Sequence, residues 1–339
     1  MKKKELISII SIVSLLLAIT STIGVMVYYN VKIKNISATK TEVYTDYAYH
    51  YAFITENYDD PLWESIYAGA KKQGKEYNAY VENFAANVTL AYSMNEMLEM
   101  AIVAKVDGII VEGDDSIETS SLINTAVEQG IHVVTVLNDC VLSTRCSFIG
   151  INNYKLGKEY ANQIINYSKD APTKVVVLLN ASNATNEEIM WSGLENTISE
   201  NYSKIELHKL DVKSEIMFTS EEIIRNLIKN KKEQPDIIVC LSLTDTISAY
   251  QSVVDFNKVG KIEILGSYQS QPVLEAIDKN IIAASMAIDT DQMGRSAVDS
   301  LFEFQTYGRV SDYVSVDFSL IHKDNVKQFM KHTDEENKP

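Results

Sequence analysis

Few residues in this chain are spaced for chemistry. Asp114 and Asp115, within Glu112-Gly-Asp-Asp-Ser116, are adjacent carboxylates of the kind that could hold a metal. A polar loop running into a helix cap is the simpler account of them. Cys140 and Cys146 share the polar loop that runs from Asp139 to Cys146. Their spacing fits neither C-x-x-C redox chemistry nor a zinc pattern, and no histidine is adjacent. In an exported chain they are either a loop-closing disulfide or two free thiols. Cys240 lies in the apolar run Ile237–Leu241 and reads as a buried small hydrophobe. His50, His132, His208, His322 and His332 are scattered, three of them in or beside strand-like runs, where a lone histidine is structural. No glycine-rich phosphate loop, G-x-S-x-G or H-E-x-x-H motif occurs. The residues therefore show no nucleophile–base pair and call for no cofactor.

The N-terminus speaks of location. Lys2, Lys3 and Lys4 precede a run of uncharged residues, 7–29, long enough at 1.5 Å per residue to cross a hydrocarbon core of about 30 Å. Flanking lysines favour a cytoplasmic N-terminus and an exported body. A cleaved signal peptide is the alternative, but the run exceeds the usual h-region and no A-x-A site follows it. The expected layout is a cytoplasmic head (1–6), a single-pass membrane anchor (7–29) and a polar stalk (30–47). The formal net charge is −15 with no basic cluster beyond the head, which argues against a nucleic-acid partner.

The remaining body is too long for one small core and suits two lobes. Strands and helices alternate along it. Residues 49–55 read as a strand. Pro61–Glu76 reads as a helix with Asp60 as cap, Pro61 at its first position and Leu62, Ile66 and Ala70 recurring on one face. Strands at 79–84, 108–111 and 131–137 and helices at 93–105 and 117–130 follow. A second round adds helices at 155–168, 186–200, 219–231 and 244–256 with strands at 174–179, 204–210, 237–241 and 262–265. Three further elements cover 271–279, 281–287 and 291–307, and a last strand lies near 314–321. Continuous apolar strands between amphipathic helices predict doubly wound α/β lobes with parallel sheets.

Two such rounds, finished by chain that crosses back, resemble the type I periplasmic binding proteins, and within them the ribose-type, sugar-binding branch. The resemblance covers about residues 48–323. It is carried by Tyr58-Asp-Asp-Pro-Leu-Trp-Glu-Ser-Ile-Tyr-Ala-Gly-Ala70, Val106-Asp-Gly-Ile-Ile-Val111, Gly130-Ile-His-Val-Val-Thr-Val136, Phe148-Ile-Gly-Ile-Asn-Asn153, and Ala283–Ala287 followed by Asp291-Gln-Met-Gly294, in that order. It implies a three-crossover hinge, with an N-lobe of 48–151 plus 289–316, a C-lobe of 152–288 plus 317–325, and a polar tail of 326–339.

The resemblance also implies a ligand cleft at the carboxyl ends of the strands. Asp60 and Trp63 would line it from the N-lobe. The family's Asp-Arg pair falls on Leu137-Asn138 with Asp139 next, so the guanidinium is lost there. The family's second arginine falls on Met190, its asparagine near Ser242, its aspartate on Tyr268, and its hinge glutamine near Asp289. The frame of the cleft is kept while most sugar contacts differ. The expected protein is an anchored extracytoplasmic receptor, not an enzyme. It would capture a small, polar, sugar-like ligand and present it to an ABC permease or a sensor histidine kinase. An extracellular hydrolase using Asp60 and Asp289 is the alternative. A repressor-like lobe pair, which shares this fold, is set aside because a membrane span stands where a helix-turn-helix would.

Overall fold

A computed structural model describes residues 47–330 apart from 57, 59, 86–91, 115, 169–171, 180–183, 200–203 and 213–219. The expected anchor, residues 30–46 of the stalk and residues 331–339 of the tail lie outside the described residues. Among the described residues, no helix is long and apolar enough to cross a membrane.

The first lobe is a six-stranded sheet in the order β11-β5-β4-β3-β1-β2. It comprises β1 (Tyr49–Ile54), β2 (Ala79–Asn83), β3 (Gly108–Glu112), β4 (His132–Val136), β5 (Ser147–Ile151) and β11 (Tyr313–Val316). Helices α1 (Pro61–Glu76) and α9 (Thr290–Tyr307) cover one face, and α2 (Met94–Ala104) and α3 (Ile117–Glu128) the other. The second lobe repeats the order as β12-β10-β9-β8-β6-β7. Its strands are β6 (Thr173–Leu179), β7 (Ile205–Asp211), β8 (Ile237–Cys240), β9 (Glu263–Ser267), β10 (Ala284–Ile288) and β12 (Phe318–His322). Here α4 (Asn153–Tyr167) and α5 (Ala184–Ser199) form one layer, and α6 (Ser220–Lys229), α7 (Leu243–Asp255) and α8 (Gln271–Asp278) the other.

Local chemistry sets the starts of these elements. Asp60 accepts from the Leu62 amide ahead of Pro61, and Ser93 and Glu96 form a reciprocal capping box on α2. Residues Ile109, Ile110 and Val111 of β3 and Ile237 to Cys240 of β8 are at most 1% exposed, so these central strands are apolar on both faces.

The helix pairs of the inner layers cross on glycine. A Cβ on Gly294 would lie 1.8 Å from the Ile66 carbonyl oxygen, and one on Gly69 would lie 2.1 Å from that of Asp291. The C-lobe repeats the device: a Cβ on Gly157 would lie 1.9 Å from the Met190 carbonyl oxygen and one on Gly193 2.3 Å from that of Tyr154. In each lobe the backbones approach closely because no side chain stands between them.

Among the described residues the chain passes between the lobes at Asn152, Asp289 and Asp317. Asn152 and Asp289 also cap α4 and α9, and the Asp289 amide donates to the Asp317 carbonyl.

Two expectations need correction, and one alternative left open is decided. The single terminal strand is two, β11 and β12, divided at Asp317. β11 runs parallel to β5, whereas β12 pairs antiparallel with β10, so the C-lobe sheet is parallel except at that edge. The polar tail begins later than residue 326: residues 326–330 are helical, Val326 is fully buried, and Phe329 and Met330 pack on the same core. Of the two states left open for Cys140 and Cys146, the structure has free thiols. Cys140 is buried against Ser120 on α3, while the Cys146 thiol donates to the Val133 carbonyl. The two sulfurs thus serve different neighbours.

Candidate functional site

β4 and β9 occupy equivalent places in the two sheets, and each ends in the same turn. The next residue, Leu137 or Tyr268, has a left-handed backbone (φ 68° and 64°). Its amide donates to the neighbouring strand: Leu137 to the Ile149 carbonyl at 2.9 Å, Tyr268 to that of Met286 at 2.7 Å. Left-handed geometry costs a non-glycine residue about 1–2 kcal/mol. Strain at matched points in both lobes marks a place where backbone shape matters more than local comfort.

Both residues line a cavity of about 80 Å³ between the lobes. Leu137, Asn138 and Ile151 come from the N-lobe side. The C-lobe and the crossovers contribute polar Asn153, Asn186, Glu187, Ser267 and Tyr268 and apolar Leu156, Met190, Leu241 and Ile288. An apolar lining with a few convergent polar groups is the usual form of a small-molecule site.

The amides form a chain with one direction. Asn153 Nδ2 donates to Asn186 Oδ1 at 2.9 Å, and Asn186 Nδ2 donates to Asn138 Oδ1 at 2.9 Å. Asn138 Nδ2 then points to Glu112 Oε1 at 3.4 Å. The middle bond joins the lobes directly. Behind the C-lobe wall, the buried Tyr160 hydroxyl bonds the Gly266 carbonyl and Ser267 Oγ, which fixes the end of β9.

Glu112 is the unusual group. Burial pushes its carboxyl up to about 7, and the Glu56 and Asp114 charges add to that; hydrogen bonds from Thr55 and Asn138 oppose it. Tyr268 reaches toward it from the opposite lobe. Burial, then the Asp60 and Glu112 charges, hold the Tyr268 hydroxyl above its usual pKa. A carboxyl whose folded pKa is raised takes up a proton on folding between about pH 4.5 and 7, so its ionisation destabilises the fold as pH rises through that range. Glu112→Gln is therefore expected to raise Tm at pH 8 relative to the parent and to change it little at pH 4. Equal shifts at both pH values would contradict a buried ionised Glu112.

The structure gathers three of the residues expected at the site, Asn138, Met190 and Tyr268, into the cavity wall. It places the others elsewhere. Trp63 is 3% exposed and packs edge-on against Phe53 in the N-lobe core, because its position on α1 faces the sheet. Asp139 is held by Arg145, Thr135 and its own neighbour's amide at Cys140. Ser242 caps α7 and donates to Asp245. Asp60 and Asp289 cap α1 and α9, so the two carboxylates considered for hydrolysis serve backbone amides. Asp114 likewise accepts from the Ser116 amide and Thr119, and no metal-binding group of side chains occurs among the described residues.

Asn153, Asn186, Glu187 and Glu112 were not singled out from sequence. One signal was available: Asn186 stands four residues before Met190 on α5, hence on the same face. Glu112 was masked by the polar loop that follows it.

A family model described as periplasmic binding protein domain matches residues 51–308. No curated protein matches the chain in sequence. Among solved structures, the chain is similar to GanP, a glucose-galactose binding protein from Geobacillus stearothermophilus. The TM-score is 0.72 with 24% identity over 82% of this chain and 98% of GanP, a likeness of fold. It is similar to the XylFII molecule at 26% identity and TM-score 0.68, over 81% of this chain and 98% of XylFII. The XylFII–LytSN complex gives 25% identity and TM-score 0.68, over 81% of this chain and 98% of the matched one.

Proposed function

We propose that this chain, which belongs to the periplasmic binding protein family, captures a small hydroxylated, sugar-like ligand by closing its lobes and presents that state to a membrane partner. The observation that carries the reading is the cavity between the lobes, walled from both sides and bridged by Asn138 and Asn186. Amides that both donate and accept suit hydroxyl groups, and the apolar lining suits the C–H faces between them. GanP is named as a binder of glucose and galactose, which supports a sugar-like ligand. XylFII is solved in complex with LytSN, which supports a protein partner for the body. That partner is an ABC permease or a sensor histidine kinase, and residues 7–29 tether the body to the outer face of the cell membrane. We take the role to be binding without turnover.

The hinge provides the test. Three crossovers at Asn152, Asp289 and Asp317 let a few residues absorb a rotation while each lobe stays rigid. Calorimetry against mono- and oligosaccharides identifies a ligand, and small-angle scattering at saturation is then expected to show a smaller radius of gyration. A saturating ligand that leaves the radius unchanged would refute lobe closure.

A further inference from the structure

The cavity between the lobes is layered, and the layers follow from how its elements are wound. Helices α4 and α5 both begin at the carboxyl end of the C-lobe sheet and run away from the cleft. Asn153 is the first residue of α4, and Asn186 lies in the first turn of α5. One turn further, about 5.4 Å deeper, the same helix faces carry Leu156 at i+3 and Met190 at i+4. Each helix thus offers the cavity an amide at its rim and an aliphatic chain beneath it. The amides are tied in one row, Asn153 to Asn186 and Asn186 to Asn138, each at 2.9 Å.

The sheet supplies the other wall. Strands β10, β9 and β8 are neighbours in that order, and their carboxyl ends bring Ile288, Ser267 and Leu241 to the lining. The Ser267 hydroxyl donates to the Cys240 carbonyl at 2.9 Å and bonds the buried Tyr160 hydroxyl, so it is committed behind the wall. Leu156, Met190 and Ile288 are 7%, 2% and 6% exposed and belong to one apolar cluster, against which Leu241 packs. The deeper level of the site is therefore aliphatic from both the helices and the sheet. A ligand hydroxyl pressed against it would lose water and gain no partner. Among the described residues no lysine, arginine or histidine lines the cavity, so nothing there neutralises a carboxylate or a phosphate.

We infer that the ligand is a neutral deoxy sugar. Its hydroxyls meet the amide row of Asn138, Asn153 and Asn186, and its methyl or methylene edge seats on Leu156, Met190, Leu241 and Ile288. This deepens the receptor reading above and rests on it. The amides call for a hydroxylated ligand; the aliphatic level beneath them calls for one edge of that ligand to carry no hydroxyl.

Calorimetry on the full chain, with pairs of sugars that differ by one hydroxyl, tests the inference. The pairs are L-fucose and L-galactose, L-rhamnose and L-mannose, D-fucose and D-galactose, and 2-deoxy-D-ribose and D-ribose. The deoxy member of at least one pair is expected to bind roughly ten- to a hundredfold more tightly, the range in which an apolar pocket rejects an added hydroxyl. Met190→Gln is close in size and puts an amide at the aliphatic level, so it should shrink that preference to about threefold or less. Met190→Leu keeps the level apolar and should keep the preference. If circular dichroism shows that Met190→Gln does not fold, Leu241→Asn, at the half-buried end of β8, carries the same expectation. Hydroxylated members binding as tightly as their deoxy partners, or an undiminished preference in the folded amide variant, would overturn the inference and leave the receptor intact. So would silence from all of these pairs while another neutral sugar binds. Failure of every sugar to bind would overturn the sugar-like reading as well.

Discussion

Gly294→Val is expected to destabilise the folded chain by about 3 kcal/mol, the upper end for atoms forced into a packed interior. Two effects compete at this position. A side chain in mid-helix gains up to about 1 kcal/mol over glycine from backbone entropy. Against that, the first carbon alone would stand 1.8 Å from the Ile66 carbonyl oxygen and 2.6 Å from the Ala70 amide nitrogen. These are backbone atoms of α1 and cannot rotate away. The helices must separate, and Gln73 and Tyr77 then lose their hydrogen bonds to Asp299. The stacked pair Tyr77–Phe302, with rings 4.0 Å apart, opens with them. Urea denaturation followed by circular dichroism measures the loss. Gly130→Ala is the comparison: its Cβ meets nothing within 4 Å, so it reports only the cost of a positive φ. If Gly294→Val falls no further than Gly130→Ala, the close crossing is refuted.

Arg145→Met is expected to cost about 3–5 kcal/mol, the loss found when one partner of a buried ion pair is removed. The Arg145 side chain is 9% exposed and that of Asp139 18%. The guanidinium grips Asp139 through two nitrogens and reaches Asp312 at 2.7 Å, so the loop after β4 is pinned to the strand β11 approach. Without it, Asp139 keeps only Thr135 and the Cys140 amide. Asp139→Asn combined with Arg145→Met should recover much of the loss, because the uncompensated charge goes too. Burial alone would raise the Asp139 carboxyl, but Arg145 outweighs it and holds it below the usual range. The pair therefore contributes fully above the unfolded carboxylate pKa, about 4, and its contribution is lost as pH falls through the folded value. Melts at pH 7 and pH 3 should show the parent and Arg145→Met converging in acid. A constant gap would mean that lost packing, not charge, sets the cost. Since this loop carries Leu137 and Asn138, the same substitution should also weaken ligand capture.

The alternation of apolar strands with capped helices made both lobes legible before any coordinates. Asp60 ahead of Pro61 marks the start of α1 to the residue. The division of the last strand was hidden because a single residue, Asp317, separates β11 from β12 with no glycine or proline to signal it. Periodicity also cannot say which side of a first helical turn meets the sheet, so Trp63 read as easily for the cleft as for the core it occupies. Asn138 and Tyr268 were legible only through resemblance, since they are placed by the left-handed turns at Leu137 and Tyr268, a backbone shape that sequence does not announce. Glu112 was illegible for another reason: what singles it out is the quality of its hydrogen bonds, which depends on residues 57 and 26 positions away.

The N-lobe is begun first and completed only near the end of the chain, with α9 and β11. Gln73 on α1 meets its partner Asp299 only after 226 further residues have been made, whereas Asn153 and Asn186 of the C-lobe are separated by 33. A chain that emerges N-terminus first can therefore assemble α4 on α5 early, while α1 waits for α9. Closing a long loop costs little more entropy than closing a short one, but contacts so distant in sequence form slowly. During that interval the side of α1 that meets α9, with Gly69 and Gln73, has nothing to cover it. The nascent chain thus carries an incomplete N-lobe until α9 is made, and holding factors would matter most at that stage.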